Sequence, residues 1–197
     1  DANAAEKAGY EHFMLKEIYE QPKTINDTIS PRIKDNDIVI EELNMSDEEI
    51  KEITKIHIVA CGSAYHTGVT AKYVIEGLAR IPVEVDVASE FRYRDPILQK
   101  GNMVIVISQS GETADTLAAL RESRERGFKV LGIVNVVGSS IAREADSVMY
   151  TWAGPEIAVA TTKAYSAQLT ALYMLAMKFA RVRGTIDQEK FAGMLTD

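Results

Sequence analysis

A chain of 197 residues, 46% hydrophobic and 26% charged, is long enough for one α/β domain with its own core and needs no metal or disulfide to hold it. Its formal charge of −7 excludes a nucleic-acid binder built on counterion displacement, since no Lys/Arg run offsets it and Arg121, Arg124 and Arg126 alternate with Glu122 and Glu125 as on a solvated helix face. A single cysteine, Cys61, fits a reducing, cytoplasmic setting; the scattered His12, His57 and His66 offer no zinc spacing; and no apolar stretch reads as a membrane span or signal peptide.

The first fifty residues read as a helical lead-in. Glu11 to Glu20 is a helix with Phe13, Ile18 and Tyr19 as candidate buried positions, and Pro22 ends or restarts it. Lys23 to Ser30 is a second helix that stops before Pro31. Ser46-Asp47-Glu48-Glu49 is a capping-box pattern and predicts a short helix over Asp47 to Lys55.

From there strand and helix alternate. Ile56 to Ala60, Val83 to Ala88, Met103 to Ile107, Lys129 to Val134 and Ser147 to Thr151 are short, largely β-branched runs bounded by turn residues. Met103 to Ile107 has no polar alternation, which predicts a central strand buried on both faces. Val83 to Val87 does alternate and belongs nearer an edge. Between the strands, Tyr65 to Ala79 (Val69, Tyr73, Leu78) and Thr113 to Arg126 (Leu117, Leu120) repeat at helical spacing, and a short helical turn covers Ile141 to Glu144. A long helix, Thr162 to Arg183, carries apolar residues on more than one stripe, so it is expected to pack on two sides, in the core and against a partner subunit. The fold class is α/β: a doubly wound parallel sheet flanked by helices, behind a helical lead-in.

In such a sheet ligands bind beyond the carboxyl ends of the strands. Cys61-Gly62-Ser63-Ala64 follows the first strand and Ser108-Gln109-Ser110-Gly111-Glu112-Thr113 the third, each leading into a helix. A helix start presents unpaired N–H groups at the positive end of its dipole. Gly111 lets the backbone curl around an anion, and Ser108, Gln109, Ser110 and Thr113 add neutral donors that match a phosphate group. The bland alternative is a polar turn with an N-cap. Neither G-x-x-x-x-G-K-[ST] nor a G-x-G-x-x-G after the first strand is present, so neither a P-loop nucleotide site nor a dinucleotide site is expected. Cys61 reads as a small core residue, His66 as a surface or capping residue, Glu112 as a dipole-stabilised carboxylate, and Trp152 as a packing residue. Lys163, a cation at a helix start, is misplaced on propensity alone and points to an anion or carboxylate contact.

Ser108 to Leu117 resembles the phosphosugar loop of the glutamine–fructose-6-phosphate aminotransferase family. Ala60 to Ser63, Ala88 to Phe91, Val137 to Ser140 and Ala153 to Ala164 resemble further blocks of it in order, and His12 to Pro22 resembles the segment that opens its isomerase half. The resemblance implies that residues 51–197 form the first of two sugar isomerase (SIS) domains and residues 1–50 its lead-in. It implies that fructose 6-phosphate or glucosamine 6-phosphate is bound, with Ser108, Gln109, Ser110 and Thr113 on the phosphate and Ser63, Val159 and Thr161 around the sugar. It implies no cofactor, no metal, a homodimer, and a longer polypeptide that also carries a glutaminase domain and a second SIS domain. The start at Asp1 rather than Met fits such a segment. The family's catalytic lysine, glutamate and histidine and its glutaminase nucleophile lie outside these 197 residues, so binding without turnover is expected. Three positions depart from the family pattern. Ser63-Ala64 stands where Thr-Ser is usual, removing one hydroxyl worth about 1 kcal/mol if unreplaced. Thr161 stands where serine is common and keeps its hydroxyl. A stand-alone sugar-phosphate sensor and a complete phosphosugar isomerase remain the alternatives.

Overall fold

The computed structural model describes residues 6–196. The lead-in holds α1 (Phe13–Tyr19), α2 (Gln21–Ile29), a hairpin of β1 (Ile33–Lys34) and β2 (Asp37–Ile38), and α3 (Asp47–Lys51). There follow β3 (Lys55–Ala60), α4 (Gly62–Leu78), β4 (Val83–Val87), α5 (Ala88–Tyr93), β5 (Asn102–Ser108), α6 (Ala114–Glu125), β6 (Lys129–Val134), α7 (Ser140–Glu144), β7 (Ser147–Tyr150), α8 (Lys163–Arg183) and α9 (Gln188–Thr196). The strands β3 to β7 form one parallel sheet in the order β4-β3-β5-β6-β7. The doubly wound fold expected from the alternation is the fold observed.

β5 is the middle strand, and its side chains feed two cores in alternation. Met103, Ile105 and Ile107 join the core under α4 and α8, while Val104 and Val106 join the one under α5, α6 and α7. This is what a strand without polar alternation requires. β4, with its Glu84 and Asp86, is an edge, also as expected.

α4 departs from the expected stripe. Tyr73 is 72% exposed, and the buried face is Thr67, Gly68, Ala71 and Ile75. Small residues serve here because the helix lies close to the sheet: a Cβ on Gly68 would meet Ile58 Cγ2 at 2.8 Å and Val85 Cγ1 at 3.1 Å. α8 is buried along most of its length, packs on α4 and α2, and ends at Gly184 in the left-handed conformation. No described helix is long and apolar enough to cross a membrane.

The lead-in is fastened to the sheet. Ile38, Ile40 and Leu43 join the core that holds β3 and β5. The buried Arg32 donates to Thr28 O, to Glu42 and to Tyr150 O at the end of β7, and the Thr28 hydroxyl donates to Thr151 O. The capping box at Ser46 forms as its pattern predicts, with Glu49 N–H donating to Ser46 Oγ at 3.2 Å and Ser46 N–H to Glu49 Oε2 at 2.8 Å.

Two burial expectations are overturned. In α1 the buried residues are Lys16 and Glu17, whereas Ile18 and Tyr19 are exposed and Phe13 is half-buried. The face of α1 that meets the domain meets polar loop backbone, so carboxylate and ammonium groups are the complementary side chains. Trp152 stays 45% exposed with φ +52°, resting against Tyr150 with 5.3 Å between ring centroids.

Candidate sugar-phosphate site

The sheet reverses direction of growth between β3 and β5: β4 adds on one side of the pair and β6 and β7 on the other. The carboxyl ends of those two strands are the switch point at which open α/β sheets bind ligands. A cavity of about 290 Å³ lies there, lined by Cys61, Ser63 and Ala64 after β3, Ser108, Gln109, Ser110 and Thr113 after β5, Glu156, Ala158, Val159 and Thr161 before α8, and Gln168 within it. Ser63, Ser108, Gln109, Ser110, Thr113, Val159 and Thr161, the residues expected to meet a phosphate or sugar, all line this one cavity, while Gly111 does not. Its size is at the small end of the ~300–1,000 Å³ common for ligand pockets.

The turn after β5 is pre-organised by its own hydroxyls. The Ser108 side chain is buried, its Oγ accepts Gly111 N–H at 3.0 Å, and it shares a hydrogen bond with Thr113 Oγ1 at 2.9 Å. Thr113 occupies the N-cap position of α6, but its hydroxyl does not cap the helix because it turns to Ser108. No side chain caps α4 at Cys61 either. Two helix starts therefore reach the cavity region without a side-chain acceptor, the arrangement that favours an incoming anion.

The turn is also braced from behind. Ile141 N–H donates to Gly111 O at 3.0 Å, Asn135 N–H to Gln109 O at 3.1 Å and Ser140 N–H to Glu112 Oε1 at 2.7 Å. The bond from Ser140 is the main reason the Glu112 carboxyl is held below its ordinary range. Glu112 thus links the turn before α6 to α7 and is not among the cavity's lining residues. Gly111 has φ +67°, and a Cβ there would fall on Ser139 Oγ and lie 2.5 Å from Ser139 Cβ.

The third wall, residues 156–162, is positioned by carboxylates that sequence reasoning missed. Glu156 accepts from Thr161 Oγ1 at 2.9 Å, Thr162 N–H at 2.9 Å and Ala164 N–H at 3.3 Å, so it caps α8 from outside the helix. Glu17 of α1, 2% exposed, accepts Ile157 N–H at 2.6 Å and Ala158 N–H at 3.1 Å. Lys163 does find a carboxylate: its Nζ lies 2.7 Å from Glu20 Oε2. That pairing offsets a cation at the positive end of α8.

Cys61 is half-buried rather than sealed, sharing a 3.9 Å contact with Thr116 Oγ1. His66 is exposed and lines a neighbouring depression with Ser63 and Thr161 rather than the cavity itself. Among the described residues, His57, Glu84 and Asp86 bring ligand atoms within 4.8 Å of one another. Arg94 bonds both carboxylates and Lys55 bonds Glu84, so two cations already balance the two negative charges and a divalent ion would have to displace them.

Residues 49–178 match the SIS domain. The chain belongs to the SIS domain family. It is 62% identical over 191 residues to a glutamine–fructose-6-phosphate aminotransferase (isomerizing) of Clostridium tetani, covering 96% of this chain and 31% of that one. It is 61% identical to the same-named protein of Clostridium acetobutylicum, covering 100% and 33%. Among solved structures it superposes on the C-terminal domain of glucosamine-fructose-6-phosphate aminotransferase from Francisella tularensis with TM-score 0.91 and 42% identity, covering 97% of this chain and 53% of that one. The resemblance drawn from separate motifs thus extends over the whole chain. The chain spans about a third of the length of those relatives.

Proposed function

We propose that the chain binds fructose 6-phosphate and glucosamine 6-phosphate as the first SIS domain of a glutamine–fructose-6-phosphate aminotransferase. The observation that carries this reading is the cavity at the switch point, whose donors are hydroxyls, amides and helix-start N–H groups with no Lys or Arg among the lining residues. Neutral donors of this kind match the oxygens of a phosphate ester. The phosphate lies on Ser108, Gln109, Ser110 and Thr113, and the sugar extends toward Ser63, Val159 and Thr161. Relatives bearing the aminotransferase name support the choice of ligand.

The same lining argues for binding without turnover. Aldose–ketose isomerisation needs a base to move a proton between neighbouring carbons and an acid to open the ring. Of the cavity's ionisable groups, Glu156 is engaged as the cap of α8 and Cys61 sits on the backbone turn with no described basic partner. Catalysis, glutamine hydrolysis and dimer formation belong in this reading to a longer polypeptide with a glutaminase and a second SIS domain.

Titration calorimetry with fructose 6-phosphate, glucosamine 6-phosphate and ATP tests it. The expected result is weak binding of both sugar phosphates, none of ATP, and no conversion of fructose 6-phosphate by the chain alone. Tight ATP binding overturns the ligand class, and measurable conversion overturns the incomplete site.

A further inference from the structure

Gln168 lies five residues past the start of α8 and is 4% exposed. Its neighbours on the buried side of that helix, Ala164, Ala167, Ala171 and Leu172, are apolar. A side-chain amide has two N–H donors and an oxygen acceptor to satisfy, and burial without partners is costly. The Gln168 amide makes no hydrogen bond with any described residue, and it is not sealed in: it lines the same cavity as Ser63, Ser108 and Thr161.

The chemistry of the amide selects which part of a ligand it meets. A phosphate group at neutral pH offers almost only acceptors, so it would leave the amide oxygen unmatched. Carbons bearing hydroxyl and carbonyl groups offer donors and acceptors side by side. The phosphate-matching donors are already concentrated on the turn after β5, on a different element.

We infer that Gln168 is a sugar-contacting residue, its buried amide completed by the hydroxyl- and carbonyl-bearing carbons of a hexose phosphate rather than by the phosphate itself. This rests on the reading of the cavity as a sugar-phosphate site. Gln168 is then part of what separates a sugar phosphate from a bare phosphate.

Gln168→Met preserves length and approximate volume while removing the amide. Binding of fructose 6-phosphate and of inorganic phosphate is measured for the unaltered chain and the variant, together with thermal unfolding. The expected result is a loss of about tenfold or more in affinity for fructose 6-phosphate, the scale of one to two lost hydrogen bonds. Affinity for inorganic phosphate stays within about twofold, and the melting temperature is equal or higher, because the Gln168 side chain makes no hydrogen bond within the chain that the variant could lose. Equal losses for both ligands, or a drop in melting temperature with fructose 6-phosphate affinity unchanged, mean a structural role and overturn the inference.

A second measurement needs no variant. The side-chain amide resonances of Gln168 should shift on adding fructose 6-phosphate and stay in place on adding inorganic phosphate. Binding without that shift sinks the Gln168 assignment alone, and an amide held by a water would show this. Failure of the unaltered chain to bind fructose 6-phosphate sinks the proposed function as well, so the two failures are told apart.

Discussion

The carboxylate of Glu17 accepts the backbone N–H of Ile157 at 2.6 Å, across 140 residues of chain. With the bond from Ala158 N–H at 3.1 Å, it makes one turn of the lead-in the anchor of the loop that carries Val159 and Thr161. Glu20 adds a second tie through Lys163, 2.7 Å away. The lead-in therefore acts on the cavity as well as preceding the sheet: Glu17 and Glu20 are the side chains that shape the third wall.

Glu17→Ala should leave two loop N–H groups without their acceptor. Hydrogen bonds to a charged group contribute ~1.5–3 kcal/mol, so a stability loss of about that size is expected. Glu17→Gln keeps an acceptor oxygen and should lose about 1 kcal/mol or less. Denaturant unfolding of both variants, beside their fructose 6-phosphate affinity, checks this. Full stability in the alanine variant would mean that the loop is held by other contacts.

The hydroxyls of the phosphate turn should separate into two kinds. Ser108 is buried and holds Gly111 N–H, so Ser108→Ala should lower both stability, by about 1 kcal/mol, and binding. Ser110 is on the rim, with Glu112 N–H donating to it at 3.2 Å. Ser110→Ala combined with Thr113→Ala should cost ~1.5–3 kcal/mol of binding per lost charge-assisted bond, and about 1 kcal/mol of stability from the Thr113 bond to Ser108. Calorimetry beside thermal unfolding reads both quantities, and unchanged affinity in the double variant would place the phosphate elsewhere.

What was legible in the sequence was whatever depends on neighbours along the chain. The apolar run of β5, the alternation of β4 and the capping box at Ser46 each report a local environment; both strands lie where they were expected, and the helix starts at Asp47 as expected but ends at Lys51 rather than Lys55, which opens β3. The turn after β5 was legible as a row of donors before a helix for the same reason, since those donors are consecutive. Side chains whose partners come from far away were not. Glu17, Glu156 and Gln168 look like ordinary helix or loop residues until α1, the loop before α8 and the switch point are brought together. The small-residue face of α4 was hidden because close helix–sheet approach removes the large side chains that mark a stripe. One local signal was overlooked: Asp35-Asn36, with φ +52° and +59°, is a two-residue turn of the kind that closes the β1–β2 hairpin.

Gly111→Ala should damage the fold for two separable reasons. A left-handed φ of +67° strains a residue with a Cβ by ~1–2 kcal/mol, and the new methyl also collides with Ser139. Pairing it with Ser139→Gly removes the collision but not the strain. At the N-cap of α7 that second change costs only a few tenths of a kcal/mol. The single variant should therefore be less stable than the double variant, which should sit about 1–2 kcal/mol below the unaltered protein. Equal stability of the two would show that the backbone shifts to avoid Ser139.

The pH dependence of stability should carry a signature of His57. This side chain is fully buried in β3; its Nε2 lies 3.4 Å from Asn102 Oδ1 and its Nδ1 has no partner among the described residues. Burial, and next the nearby Lys55 ammonium, push the imidazole below its ordinary range against the smaller opposing pull of Glu84 and Asp86. The unfolded chain then takes up the proton first as pH falls. Stability from this group is complete above the unfolded value of about 6.5 and declines as pH drops from there toward the folded value. The carboxylates held low by their partners, Glu41, Glu49, Glu84, Glu112 and Glu144, lose their contributions only below their ordinary value of 4.5, so the two windows are distinct. Unfolding midpoints at pH 5, 6, 7 and 8 (round values within the window opened by that ~6.5) should fall toward acid in the unaltered chain and flatten in His57→Leu. An equal slope in both would assign the acid sensitivity to another group.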